Sequence, residues 1–404
     1  MVMNMKNILR IAAAFLVAAV SASCMKADFD GMAEEGIFAD GPASKREAGG
    51  DGDGDGNGNT NAGVLTAAEW CDLDHWDFWS GLMESETFSG YASTWGFHTN
   101  NRVAVKLTDK GNAVANVSVT LKRGDKNIWQ ARTDNHGKAN CWIGLNQKEA
   151  VEDTSALSLT IGSTLMKESV KVTGWNPQAA PAVNEFEYSP TKAAAMKADI
   201  AFIVDATGSM GDEISFLKSD LKDIIGKVSS LKSNIAIRTA ALFYRDEGDE
   251  YVTRESNFTA DFSKTGAFIG EQKANGGGDY PEAVHTALEN GIQKLSWDEN
   301  AFSRIAFLIL DAPAHNNTAV KQSIQDSIEL YAKMGIRLIP VAASGVDKST
   351  EFMCRFFATV TGGTYTFLTN DSGVGGDHIE ASVGEYQVEQ LNELIVRLIT
   401  SCID

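Results

Sequence analysis

The sequence predicts a doubly wound α/β domain with a mainly parallel sheet, preceded by an all-β sandwich. Three observations carry this. "DIAFIVD" (199–205) and "RIAFLIL" (304–310) are near-continuous apolar runs, as expected of parallel strands covered on both faces. Segments of helical period lie between such runs over residues 195–404, and alternating strands and helices build a doubly wound sheet. Residues 64–190 instead carry short runs of period two separated by turn residues, the pattern of a sandwich.

The chain has 404 residues, 43% of them apolar, enough for two domains with real cores. Its net charge of −19, from 54 acidic and 35 basic residues, argues against nucleic-acid binding, because the phosphate backbone would repel it. Solubility alone accounts for the acidity.

Residues 1–23 read as a signal peptide. Lys6 and Arg10 precede the apolar run Ile11–Val20, which is too short to span a bilayer as a mature helix. "SASC" then ends at Cys24 and resembles the lipobox of bacterial lipoproteins, with Ser21 where that pattern prefers Leu. Lipidation of Cys24 is the favoured reading over ordinary cleavage after Ala22. It implies an exported protein, lipid-anchored in a bacterial outer membrane or at the cell surface, that touches the membrane through its anchor alone.

Residues 24–63 read as a flexible tether, above all "GGDGDGDGNGNTNAG" (49–63). Asp51, Asp53 and Asp55 imitate a calcium loop, but its twelfth position is Ala62 rather than Glu. Outside the cytoplasm Cys71, Cys141, Cys354 and Cys402 could pair in three ways. Pairing within domains would join Cys71 to Cys141 and Cys354 to Cys402; buried free thiols are an equal alternative.

In the β region, Val103, Val105 and Leu107 share one face, as do Val117, Val119 and Leu121. "TDNHGKA" (133–139) turns between strand-like runs around Trp129 and Trp142. The stretch resembles bacterial immunoglobulin-like and carboxypeptidase-regulatory-like modules. Trp70, Trp76 and Trp79 in "EWCDLDHWDFW" suit core packing better than a sugar-binding platform.

In the α/β region, strands are expected at 199–205, 304–310, 336–343 and 364–369. Helices are expected at 212–229, 281–295, 318–334, 351–360 and 385–399. Ligands of such sheets bind beyond the carboxyl ends of the strands. Asp205 ends the first run and Asp311 follows "RIAFLIL".

"DATGSM" (205–210) matches the Asp-x-Ser-x-Ser signature of the von Willebrand factor A domain, with Thr207 at the first Ser. The resemblance covers roughly the last half of the chain and implies a Rossmann-like fold with a metal-ion-dependent adhesion site. It assigns Asp205, Thr207 and Ser209 to the first loop and Asp311 to the third. In the second loop, "NGGGDYPEAV" (275–284), Asp279 stands 70 residues after Ser209 and 32 before Asp311. That is the family's spacing for its Thr. "GGGDYPEA" and "YRDEGDE" (244–250) resemble a branch of the family found near atypical kinases and in bacterial secreted proteins.

Magnesium takes an octahedron of hard oxygens and keeps several waters; calcium or manganese are alternatives. Short hydroxyls coordinate without adding charge, and two aspartates balance the ion. Asp279 makes a third, leaving the site one charge negative. An acidic ligand about 4 Å from that excess meets on the order of 4 kcal/mol of repulsion at an effective dielectric near 20. Arg245, Asp246 and His315 belong near the rim, the first two as a loop-fixing pair.

Catalytic signatures such as GxSxG, HExxH or a P-loop do not occur. The expectation is a non-catalytic cell-envelope lipoprotein that binds a protein or glycan through the metal face. Its alternatives are a structural component stiffened by the ion, and a metal-dependent hydrolase.

Overall fold

The structure is a computed structural model that describes residues 61–146, 153–178, 180–231 and 234–404. The expected signal peptide, Cys24 and the tether through residue 60 lie outside these residues. The described residues form one compact unit.

The chain enters through Gly63, whose amide donates to Asp220 Oδ1 at 2.6 Å. Strand β1 (Thr66–Trp70) follows, then helices α1 (Trp76–Glu84) and α2 (Glu86–Trp95). This corrects the expected all-β stretch from residue 64. Strand β1 lies in the α/β sheet, and two helices separate it from the β region. Nothing local in "TAAEW" points to its strand partner, which lies about three hundred residues on. The helices bury Trp76 and Trp79 at 1% and 0% exposure. Their indole N–H groups donate to Gly174 O and Thr99 Oγ1, so these tryptophans pack rather than form a platform.

Residues 102–187 form two four-stranded sheets. One holds β2 (Arg102–Asp109), β3 (Asn112–Ala113), β6 (Lys138–Trp142) and β9 (Val183–Glu187), the last parallel to β2. The other holds β4 (Ser118–Arg123), β5 (Lys126–Arg132), β7 (Leu157–Ile161) and β8 (Thr164–Leu165). Val103, Val105 and Leu107 of β2 are buried, as are Val119 and Leu121 of β4. The turn at 133–138 is held by Asp134, whose Oδ1 accepts from the amides of His136 and Lys138. A Cβ on Gly137 (φ +72°) would lie 2.3 Å from Leu107 O, so only glycine fits there.

The α/β body begins at β10 (Ala195–Asp205) and continues through α3 (Ile214–Ser229), β11 (Ala236–Tyr244), β12 (Thr253–Thr259), α4 (Phe262–Glu271) and α5 (Val284–Gln293). It ends with β13 (Ala301–Leu310), α6 (Thr318–Met334), β14 (Ile336–Ala342), α7 (Lys348–Thr361), β15 (Tyr365–Leu368), β16 (Glu389–Gln390) and α8 (Leu391–Ile403). The sheet order is β12-β11-β10-β13-β14-β15-β1-β16. Strands β11, β10, β13, β14 and β15 run parallel; β12 and β1 are antiparallel to their neighbours.

Apolar runs fill both faces. Ile200, Phe202 and Val204 join Ile305, Phe307 and Ile309 in the core under α3 and α8. Ala201 and Ile203 join Ala306, Leu308 and Leu310 in the core under α5, α6 and α7. Each large side chain so buried contributes about 1.5–3 kcal/mol. The helix ends follow local chemistry. Asn317 caps α6 through the Val320 amide at 3.0 Å and Asp347 caps α7 through the Thr350 amide at 2.7 Å. Gly335 and Gly362 end these helices in the left-handed region.

The two-sheet module and the second of these cores are one cluster. Phe97 stacks on Phe356 with centroids 4.0 Å apart, and Trp142 Nε1 donates to Val360 O. A fully buried ion network bridges the segment between β1 and α1 to α7. Arg355 donates from Nε and Nη2 to both oxygens of Asp72, at 2.9 and 2.5 Å, and lies 3.4 Å from Glu351. Cys71, Cys141, Cys354 and Cys402 are all free thiols.

Candidate metal centre

The chain turns from β10 to β11 on one side and reaches β13 on the other. The carboxyl ends of β10 and β13 therefore flank a topological switch point, where open α/β sheets hold ligands. Asp205 is the last residue of β10 and Asp311 follows the last residue of β13. Both are buried, at 0% and 4% exposure.

The first loop is organised around Asp205. Its Oδ1 accepts from the Thr207 amide at 2.8 Å and from Thr207 Oγ1 at 2.7 Å. Thr207 Oγ1 lies 3.1 Å from Ser209 Oγ. Thr207 is fully buried and Ser209 exposed. The structure thus brings together Asp205, Thr207, Ser209 and Asp311 at the strand ends.

Backbone bonds zip this loop to the second. The Gly208 amide donates to Gly276 O, and the Asn275 amide to Ala206 O. A Cβ on Gly208 would meet Gly276 O at 2.9 Å. Asp249 braces the glycine run by accepting from the Gly277 amide at 2.9 Å.

Asp279 does not join the buried acids. It is solvent-exposed, and the buried carboxyl of this loop is Glu282, at 3% exposure. Asp279, expected at the fourth position of the site, thus stands at its exposed rim beside the likewise exposed Ser209. Gly276 and Gly277, at φ +80° and +75°, turn the loop. Glu282 then bridges to Ala314 of the third loop, its amide donating to Pro313 O at 2.8 Å. That bridge keeps Pro281–Ala283 out of the helix, so α5 starts at Val284 rather than 281. Glu282 Oε1 reaches within 3.0 Å of where a Cβ on Gly277 would stand, beside Thr207.

Burial raises the carboxyls of Asp205 and Asp311 above the ordinary range. At Asp205 the neighbouring Asp311 adds to it, and the Thr207 amide and hydroxyl partly offset it. At Asp311, Glu213 adds to it after a partial offset by the Ser209 hydroxyl. Glu282 is pushed up to about 9 by burial, then by Asp205, Asp246, Asp311 and Asp249. Tyr244, paired with Asp205 across β10 and β11, is raised by burial and then by the same acids.

The donor set fits a hard divalent cation. Asp311 Oδ1, Glu282 Oε2 and Glu213 Oε2 are buried and accept no hydrogen bond, and at Asp205 the buried Tyr244 hydroxyl supports the carboxylate beside Thr207. A buried carboxylate oxygen without a donor is costly, and a cation bound beside Asp205 and Asp311 would remove that cost. Among the described residues no three or more His, Cys, Asp or Glu are arranged as a ready-made metal cage. The fit rests on a mixed set of carboxylates and hydroxyls.

The rim residues act within the protein. Arg245 is 5% exposed. Its Nε donates to Ala206 O and its Nη2 to Lys273 O, which straps the first loop to the segment leading into the second. Asp246 accepts from His315 Nε2 at 2.8 Å, the two side chains being one-tenth and one-quarter exposed.

Sequence reasoning missed Glu282, Glu213 and Tyr244. Glu282 had a usable signal: an acid between Pro281 and the apolar Ala283–Val284, where exposure is not expected. Glu213 carries none. It is 1% exposed because the 3₁₀ turn 208–212 carries it inward, where it accepts from the Ser344 amide and pairs with His378.

Fold and sequence together define the class: residues 199–348 match the von Willebrand factor A domain family model, and the chain carries such a domain. It is 32% identical over 186 residues to a putative ariadne-like RING finger protein of Acanthamoeba polyphaga mimivirus, covering 42% of this chain and 18% of that protein. It is 31% identical over 205 residues to an α-protein kinase, vwkA, of Dictyostelium discoideum, covering 47% and 32%. The chain thus spans a third or less of the length of these relatives. Among solved structures it is similar to BatB of Bacteroides thetaiotaomicron, at 13% identity and a TM-score of 0.36, covering 51% of this chain and 98% of that one. It is also similar to the mussel byssus proximal thread matrix protein 1 with a zinc-occupied MIDAS motif, at 18% identity and a TM-score of 0.33, covering 41% and 40%.

Proposed function

We propose that the chain is a non-catalytic binding protein that takes a protein or glycan partner through a divalent-metal site of the adhesion type. Asp205, Thr207, Ser209 and Asp311 would hold the ion, with Glu282 as the third inward carboxyl. Magnesium is the preferred ion, with calcium or manganese as alternatives. When bound, the ion supplies a Lewis-acidic position that a partner's oxygen can occupy. The protein's own residues orient the hydroxyls and keep water from the carboxylates. What supports this reading is the buried acid pair Asp205 and Asp311 at the switch point of the sheet, with the Thr207 and Ser209 hydroxyls 3.1 Å apart beside Asp205. On this reading the two-sheet module is an immunoglobulin-like sandwich that presents the metal domain, and Cys24 and the tether fix it to a cell-envelope membrane.

The depth of the site favours a second reading, a structural ion that only stiffens the domain. Asp205 and Thr207 are both 0% exposed, whereas the exposed Ser209 offers the partner an approach. Titration calorimetry with magnesium and manganese, on the full chain and on Asp205→Ala, tests the site. Binding that disappears in the variant supports it; no binding by the intact chain refutes it. Partner capture abolished by chelation, with folding intact by circular dichroism, supports adhesion over stiffening.

A further inference from the structure

A second polar cleft lies at the opposite end of the sheet, between the two-sheet module and the amino-terminal ends of β13 and β14. Its volume is about 460 Å³, the size of a small-molecule site. Arg304 lies seven residues before Asp311 on an extended strand, so this cleft is about 20 Å from the metal centre.

Four arginines line it: Arg102 and Arg132 from the module, Arg304 and Arg337 from the α/β body. Arg102, Arg304 and Arg337 are 8%, 2% and 9% exposed. Among the described residues, none of the four is in an ion pair with Asp or Glu. Arg102 donates to Asn140 Oδ1 and Leu73 O. Arg304 donates to Met334 O, Asp298 O and Ala301 O, and Arg337 to Ser303 Oγ and Cys402 O.

Arg132 and Arg304 meet across the interface. Both donate to Asn116 Oδ1, at 3.4 and 2.6 Å. Gly335 makes room for both, since a Cβ there would lie 2.8 Å from Arg132 Cβ and 3.2 Å from Arg304 Nη2. These two guanidinium groups share one neutral acceptor and make no direct ion pair, while Asp199, Asp298 and Glu299 act on Arg304 through space. Nearby acids are committed elsewhere. Asp199 pairs with Arg238 and Asp298 with Lys197, and Asp134 holds its own turn. Asp74, Asp134 and Glu185 line the cleft, fewer negative charges than the four arginines, Lys106 and Lys138 bring. Buried charge without a partner is costly, and guanidinium forks match the geometry of oxyanions.

We propose that this cleft binds a small anion with clustered oxyanion groups, phosphoryl or carboxylate, through Arg132, Arg304, Arg337 and Arg102. The anion cements the two-sheet module to the α/β body, independently of the metal site.

The test is titration calorimetry of the full chain with pyrophosphate and with citrate, in buffer stripped of divalent ions so that the metal centre plays no part. The expected result is saturable binding by one anion or both, weakened at least tenfold in Arg132→Gln and unchanged in Lys126→Gln, which removes an exposed charge outside the cleft. Preference for pyrophosphate or for citrate assigns the phosphoryl or the carboxylate class. Absence of binding by both anions overturns the proposal, as does binding that Arg132→Gln leaves unchanged. Arg337→Gln is the second variant, and Arg132, only half-buried, keeps the test open if Arg337→Gln does not fold.

Discussion

Replacing Asp205 by Asn separates the metal's contribution from the cost of the empty acid pair. Asp205 is fully buried, and its carboxyl is raised from 3.8 to about 7. Such a carboxyl holds more protons folded than unfolded. Stability of the metal-free protein therefore falls as pH rises from about 4 to about 7 and stays low above that range. At 1.36 kcal/mol per unit the whole shift is roughly 4 kcal/mol, and Asp311 shares it because coupled acids titrate as a pair. Asn keeps an acceptor for the Thr207 amide and hydroxyl and removes one charge. Metal-free Asp205→Asn is thus expected to be about 2 kcal/mol more stable than the parent near neutral pH. In saturating magnesium the order reverses, because an ion at a hundred times its dissociation constant stabilises the parent alone by about 2.7 kcal/mol. Urea unfolding of both proteins, with chelator and with millimolar magnesium, across about pH 5–8, reads all four states. A variant less stable than the parent in chelator would show that the acid pair is not under electrostatic stress. Equal responses of both proteins to magnesium would place the ion elsewhere.

The contrast between Asp279 and Glu282 gives a second test: calorimetry should find magnesium affinity within about twofold of the parent in Asp279→Ala and at least tenfold weaker in Glu282→Gln, on the order of 1.4 kcal/mol. Gly277→Ala forces a side chain into the left-handed region at φ +75°, with its Cβ 3.0 Å from Glu282 Oε1. A loss of about 1–2 kcal/mol is expected from the backbone alone, read by thermal or urea unfolding together with weaker metal binding. Asp72→Ala leaves Arg355 buried without its bidentate partner and should cost about 3–5 kcal/mol; unfolding within 1 kcal/mol of the parent's midpoint energy would refute that role. Burial raises the Cys141 and Cys354 thiols well above their ordinary range, so alkylation of the native protein should spare both and proceed only after denaturant is added.

Much of the α/β body was legible because its signals are local. Two-sided apolar runs marked β10, β13 and β14, and helical period placed α6 at 318–334, as observed. Asp205, Thr207 and Ser209 were placed in one loop by the resemblance of "DATGSM" to the family signature, and Asp311 lies where a buried strand must end. Arg245 was read as a loop fixer, and it fixes the loop, but through carbonyl oxygens of Ala206 and Lys273 rather than through Asp246.

The rest required the tertiary structure. "TAAEW" is a strand in any reading, yet only pairing with Tyr365–Leu368 makes it part of the α/β sheet. The two-sheet module shares its core with α5, α6 and α7, which no local period reveals. Asp279 and Glu282 differ by three positions in one glycine-rich loop. Which of them turns inward depends on two left-handed glycines and on a bridge to a loop thirty residues away. The strand ends that carry the first and third loops were legible in the sequence, because a strand covered on both faces leaves an unbroken local apolar run that stops at a polar residue. The third carboxyl, the placement of β1 and the arginine cleft were decided by the tertiary structure, because contacts across long chain separations leave no periodic trace.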